Sequence, residues 1–216
     1  MYFRDRYEAG KLLAKELVDL KGKEDTLVLG IPRGGVVVAY EVAKALGLPL
    51  DVFIARKIGA PGNPELAIGA IASDGTLVLD EHTIRVLGIP DEYVKKEAER
   101  QKREIQRRMK MYRGGREGYG ITGKTVILVD DGVATGATTI AALRAIRANK
   151  PSQTILAVPV APPEAIAKLK QEADRVVCLH TPSPFWAVGA FYLNFEQTSD
   201  EEVKRLLREL APSEGD

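Results

Sequence analysis

The chain of 216 residues is poor in the residues that usually announce chemistry. It has one cysteine, two histidines and one tryptophan. A single Cys178 excludes an internal disulfide and fits a reducing, cytoplasmic compartment. With so few sulfur and imidazole ligands, a structural zinc site has nothing to be built from. No apolar run is long enough to span a bilayer, and the N-terminus shows no signal-peptide core. Charge of one sign is missing too: 31 Lys and Arg face 30 Asp and Glu, so no global basic field draws the chain to nucleic acid. No internal repeat or low-complexity segment is visible, and the length suits one domain covering residues 1–216.

What is present centres on Val126 to Thr139, V-I-L-V-D-D-G-V-A-T-G-A-T-T. A short β-branched run reads as a buried strand, and it ends in two adjacent carboxylates, Asp130 and Asp131. Gly132, Val133, Ala134, Thr135, Gly136, Ala137, Thr138 and Thr139 follow, and helical spacing resumes at Ile140. A loop without bulky side chains lets backbone N–H groups close on an anion, helped by the positive end of the next helix. Two carboxylates repel a phosphate. They suit the hydroxyls of a sugar or a hard cation. A phosphate cradle beside a diol reader describes a ribose 5-phosphate site.

In this register the stretch resembles the signature of type I phosphoribosyltransferases, with Ala137 where glycine is commoner. The resemblance implies binding of phosphoribosyl pyrophosphate (PRPP) and magnesium, with Asp130 and Asp131 reaching the metal through ribose or water. The acceptor would be a nucleobase, or a nucleotide in the reverse reaction. A non-catalytic PRPP sensor of the same fold is the alternative. Beside the signature, Ile31-Pro32-Arg33-Gly34-Gly35 resembles the loop that grips pyrophosphate in this family. That loop often holds a cis peptide, and the corresponding bond is Pro32–Arg33. Phe53-Ile54-Ala55-Arg56-Lys57 resembles the basic segment of orotate-type members, with Arg56 and Lys57 on pyrophosphate. Ile58 to Glu65 then takes the place of a mobile lid and reads as loop. Phe185-Trp186-Ala187-Val188-Gly189 resembles the purine-type base site, with Trp186 stacking on the base and Val188 beside it. The family's following aspartate aligns with Leu193 or Asn194, which leaves a third metal-side carboxylate in doubt. Catalysis would rest on Arg33, Arg56, Lys57, Asp130 and Asp131.

Alternating strands and helices predict an α/β, doubly wound, mainly parallel five-stranded sheet with a small hood. Helices are expected at Asp5 to Leu20, Val36 to Leu46, Pro162 to Gln171 and Asp200 to Leu210. Strands are expected at Leu27 to Ile31, Leu50 to Ala55, Thr154 to Val160 and Arg175 to Leu179. A hairpin at Ala67 to Leu79 and a helix at Glu92 to Met111 form an insertion over about 67–117, within a core over about 25–180. The helix has sparse apolar positions and reads as solvated, with a second subunit of a homodimer as its other possible neighbour. Tyr112 to Arg116 reads as an exposed linker. The hood is assigned to about 181–210, with the N-terminus as a further contributor. Ala211 to Asp216 reads as a disordered tail.

One stretch misleads. Gly118 to Thr125, G-Y-G-I-T-G-K-T, fits both the nucleotide P-loop and the dinucleotide glycine pattern. Both chemistries need glycines that leave a strand and open a helix. These leave a helix and enter a strand, so an ATPase and a dehydrogenase are rejected.

Overall fold

The computed structural model describes residues 1–211, and the tail at 212–216 lies outside them. The chain builds α1 (Arg6–Lys15), β1 (Thr26–Gly30), α2 (Gly34–Leu46), β2 (Leu50–Val52), β3 (Ala55–Ala60), β4 (Asn63–Ala72), β5 (Leu77–Leu79), α3 (Glu81–Val86) and α4 (Asp91–Arg113). Then follow β6 (Thr125–Val129), α5 (Ala137–Ala148), β7 (Gln153–Val160), α6 (Pro163–Leu169), β8 (Arg175–His180) and α7 (Asp200–Glu209). Five strands form one sheet in the order β2-β1-β6-β7-β8, and every neighbouring pair is parallel.

Period-two alternation explains how both faces of this sheet are covered. Val28, Ile127, Val129, Ile155 and Ala157 join the core under α1, α2 and α7. Their neighbours Leu27, Leu29, Val126, Leu128, Leu156 and Val158 join a second core under α5 and α6. The chain winds outward from β1 to β2 and then restarts at β6 on the other side of β1. The crevice at the carboxyl ends of β1 and β6 is therefore the switch point, where such sheets bind ligands.

The chain from β2 to α4 departs from its sequence reading in three places. The strand expected over Leu50 to Ala55 is two strands, and Arg56 and Lys57 lie inside the second of them, β3. The expected lid loop, Ile58 to Glu65, is the tip of an antiparallel hairpin, with Ala60 paired to Asn63. Pro61 and Gly62 make its two-residue turn, and Gly62 takes a φ of 72° that proline-glycine turns require. Gly59 lets Pro64 cross closely, since a Cβ there would stand 2.7 Å from the Pro64 Cα.

The third departure is α4, which is not solvated all round. Val94, Ala98, Gln101, Ile105, Met109 and Tyr112 are buried, a stripe at helical spacing. It packs against β3, β4 and α7. The segment after it is not a free linker either: Arg113 forks onto the buried Asp51, with nitrogen–oxygen distances of 2.8 and 3.2 Å.

Near the N-terminus, Asp5 caps α1 by accepting the Glu8 N–H, but the helix stops at Lys15 and a 3-10 turn covers Val18–Leu20. Phe3 bridges to Tyr192, and backbone bonds join Phe3 and Arg4 to Phe191, Leu193 and Asn194. The N-terminal residues thus meet the segment after β8 above the switch point, while α7 packs on α2, α4 and β2 instead. Among the described residues, no helix is long and apolar enough to cross a membrane.

Candidate active site

The loops leaving β1 and β6 are pressed together. Ile31 donates its N–H to the Val129 carbonyl at 3.0 Å. α2 starts at Gly34, and a Cβ on Gly35 would stand 2.7 Å from Asp130 Oδ1 and 2.9 Å from the Asp130 Cα. A Cβ on Gly34 would collide with the Asp131 carboxylate and the Arg6 guanidinium. The glycines of Pro32-Arg33-Gly34-Gly35 are therefore what lets this loop touch the acid pair. The Pro32–Arg33 peptide is cis. Arg33 is half-buried and has no carboxylate partner among the described residues.

Asp130 Oδ1 accepts the Asp131 N–H at 2.8 Å. Burial, and then the neighbouring Asp131 charge, push the Asp130 carboxyl well above its usual range. Asp131 is held from two sides. Its Oδ2 accepts from Arg6 Nε at 2.8 Å, with side-chain exposures of 12% for the arginine and 16% for the acid. Its carbonyl accepts from the Tyr192 hydroxyl. Burial, followed by the Asp131 charge, raises the Tyr192 pKa, so the hydroxyl keeps its proton. Arg6 also lies 3.9 Å from the Phe195 ring centroid and donates Nη1 to the Glu196 carbonyl at 2.7 Å. Sequence reasoning missed Arg6 and Tyr192, whose partners lie 125 and 61 residues away in the chain. No local pattern marks either residue.

The loop after the acids ends at Gly136, whose φ of 90° caps α5 without any side-chain cap. Ala137 gives its N–H to the Thr135 hydroxyl at 3.5 Å, and the helix dipole adds its positive end at this point. Ala134, Thr135, Ala137 and Thr138 are exposed, while Gly132, Val133, Gly136 and Thr139 are buried. Val133 gives its N–H to the Val160 carbonyl, so it shapes the loop and has no free donor for a ligand. Gly132 lies against Val188, where a Cβ would collide, so the hood meets the loop there.

Arg56 and Lys57 reach the same region from β3. A cleft of about 550 Å³ is lined by Pro32, Thr138, Arg56, Lys57, Arg108 and the hairpin tip, among others. Arg56 donates Nε to Gln101 Oε1 at 2.6 Å, and Gln101 donates Nε2 to Glu97 at 2.9 Å. Lys57 pairs with the exposed Glu65 at 2.9 Å. Trp186 stands apart, 84% exposed on the segment after β8, so it is not a packing anchor. Its neighbour Phe185 stacks on Phe191 with centroids 5.4 Å apart. Asn194 follows in the hood without a carboxylate, and its Oδ1 accepts the Glu196 N–H. Among the described residues, no group of three or more His, Cys, Asp or Glu could hold a metal ion alone.

A family model described as "Phosphoribosyl transferase domain" matches residues 4–196. The chain is 47% identical over 205 residues to "Putative phosphoribosyl transferase Rv0571c" of Mycobacterium tuberculosis H37Rv, covering 95% of this chain and 46% of that protein. It thus spans about half the length of the curated relatives it matches. The crystal structure of TT1426 from Thermus thermophilus superposes with a TM-score of 0.89 at 49% identity, over 98% of this chain and 100% of that one. AQ2163 from Aquifex aeolicus, at 14% identity and a TM-score of 0.51 over 82% of this chain and 73% of that one, shares the fold. The match runs from the N-terminal arm, through the acid pair and its cradle, into the hood, and by it the chain belongs to the phosphoribosyl transferase domain family.

Proposed function

We propose that this protein transfers the 5-phosphoribosyl group between PRPP and a nitrogenous base, or runs the reverse reaction on a nucleotide. The observation that carries the reading is the contact of Gly34 and Gly35 with the acid pair. That contact supports the reading, because a loop gripping pyrophosphate and a pair reading ribose would then serve one ligand at the switch point. The 5-phosphate would sit on the N–H groups of Ala134 to Thr139 and on the Thr135 and Thr138 hydroxyls. Asp131, paired to Arg6, would accept from ribose hydroxyls. Asp130 would accept beside it, its carboxyl pushed upward by burial and by the Asp131 charge. Arg33, Arg56 and Lys57 would meet the charge that grows on departing pyrophosphate, which is the main electrostatic demand of this step.

The donor set fits magnesium in the way that ion is commonly held, by one or two carboxylates plus substrate phosphates and waters. Asp130 and Asp131 would reach it through ribose hydroxyls or water, and bound there it would neutralise pyrophosphate charge. The base would lie under Trp186 and beside Val188, in the hood. We read the protein as a homodimer, which light scattering would test.

The decisive experiment measures PRPP-dependent pyrophosphate release across a panel of bases, with Asp130→Asn/Asp131→Asn as control. Release with one base, lost in the control while its melt stays cooperative, supports the reading. PRPP binding without release for any base makes the protein a sensor. No PRPP binding at all ends the proposal.

A further inference from the structure

An arginine is costly to withdraw from water, and the Arg6 side chain is largely withdrawn at a place where several elements meet. It leaves the first turn of α1, pairs with Asp131, covers Phe195 and donates to the Glu196 carbonyl. Its Nε and Cζ also line the spot that a Gly34 side chain would fill. One guanidinium thus touches the ribose acid, the pyrophosphate loop and the hood. A plain structural tether would not need to end on a functional carboxylate, since the backbone bonds of Phe3 and Arg4 already join the arm to the hood.

The geometry points to Arg6 as a positioning residue for the ribose subsite: it fixes the Asp131 carboxylate and ties it to the hood. This rests on the proposed PRPP reading. The planar fork suits the task. Nε–H takes the acid and one Nη1–H takes the carbonyl, so the carboxylate cannot turn without breaking a charged bond. Phe195 backs the guanidinium, and Gly189 lets that ring approach, since a Cβ there would stand 2.7 Å from Phe195 Cδ1. The Tyr192 hydroxyl fixes the backbone of the same residue from the other side. Arg6 packs beside Gly34 but donates its hydrogen bonds to Asp131 and the Glu196 carbonyl, so it acts through Asp131 and pyrophosphate should depend on it far less than ribose does.

The test is calorimetry with two separate probes, ribose 5-phosphate and inorganic pyrophosphate, on the parent, Arg6→Gln, Arg6→Lys and Phe195→Leu. Arg6→Gln should weaken ribose 5-phosphate roughly ten- to a hundred-fold, the usual loss for one charged hydrogen bond. Pyrophosphate affinity should stay within about twofold, well below that loss. Arg6→Lys should recover part of the loss because it keeps the charge and forfeits the fork. Should Arg6→Gln fail to fold, Phe195→Leu decides. Removing the ring while leaving the ion pair should weaken ribose 5-phosphate roughly two- to fivefold. Parental or tighter ribose 5-phosphate binding in the folded variants overturns the inference, as does an equal loss for both probes. A parent that binds neither probe overturns the proposed function, and this inference with it.

Discussion

Replacing Gly35 by alanine sets two effects of opposite sign against each other, and the structure decides between them. Gly35 lies in the first turn of α2 with an ordinary φ, so alanine there should gain at most about 1 kcal/mol from helix propensity. Against that, the new Cβ would stand 2.7 Å from Asp130 Oδ1, 2.9 Å from its Cα and 3.1 Å from the Val129 carbonyl. Two of these are backbone atoms of the central strand and its end, which cannot swing aside as a side chain can. Overpacking of this kind costs about 1–3 kcal/mol. The net should be a loss of about 1–2 kcal/mol, or roughly 2–8 °C in Tm for a chain of this size. Gly120 is the matched control: it is exposed, has no atom within 4 Å of its Cβ and needs no positive φ. Gly120→Ala should be neutral or stabilise by a few tenths to about 1 kcal/mol. Differential scanning fluorimetry gives both numbers, and pyrophosphate release shows whether Gly35→Ala also loses activity by moving the acids from the loop. If Gly35→Ala melts at or above the parent and keeps its turnover, the two loops are not in the contact described.

Two other variants probe the rest of the site. Gln101→Leu keeps the volume but removes the acceptor for Arg56. It should cost about 1–3 kcal/mol of stability, from bonds to charged groups, and should weaken pyrophosphate binding more than ribose 5-phosphate binding. Equal affinities in variant and parent would detach Arg56 from the leaving group. Trp186→Ala should weaken an accepted nucleotide by roughly ten- to a hundred-fold through lost stacking. It should leave PRPP binding and the melt nearly unchanged, because the indole is exposed. The single indole makes its emission a direct reporter, and emission that ignores saturating nucleotide would move the base elsewhere.

The sequence was most readable where strand, acid pair, loop and helix share one contiguous stretch. Val126 to Thr139 runs from β6 through the acids into α5, so its order in the chain is also its order in space. The glycines of Gly118 to Thr125 do lead into a strand, which is why context separated them from a phosphate-binding loop. Readability failed where meaning depends on distant partners. Arg6 looks like any charged residue after a helix cap until Asp131 is brought beside it. The buried stripe of α4 includes a glutamine and is diluted by charge on its other sides, so composition hid its period. In Ile58 to Glu65, glycine and proline density suggested a loop. Pro61 and Gly62 instead serve one tight turn, and Gly59 allows a close crossing within a paired hairpin.

α4 also acts as a ruler whose markings are angular. It runs for 23 residues, about 35 Å at 1.5 Å per residue, and returns the chain from the insertion toward the start of β6. Between Tyr93 and Arg108 it lines the cleft with Tyr93, Glu97, Arg100, Gln101 and Arg108, and its last residue, Arg113, is clamped to Asp51. Adding or deleting one residue between these ends would turn one set by about 100° relative to the other. A full heptad changes the phase by only about 20°. A heptad step would keep the phase but add about 10.5 Å between the cleft residues and their anchor, while a single residue would break the phase, and both restrict how the cleft wall can be rebuilt without losing its hold on the sheet.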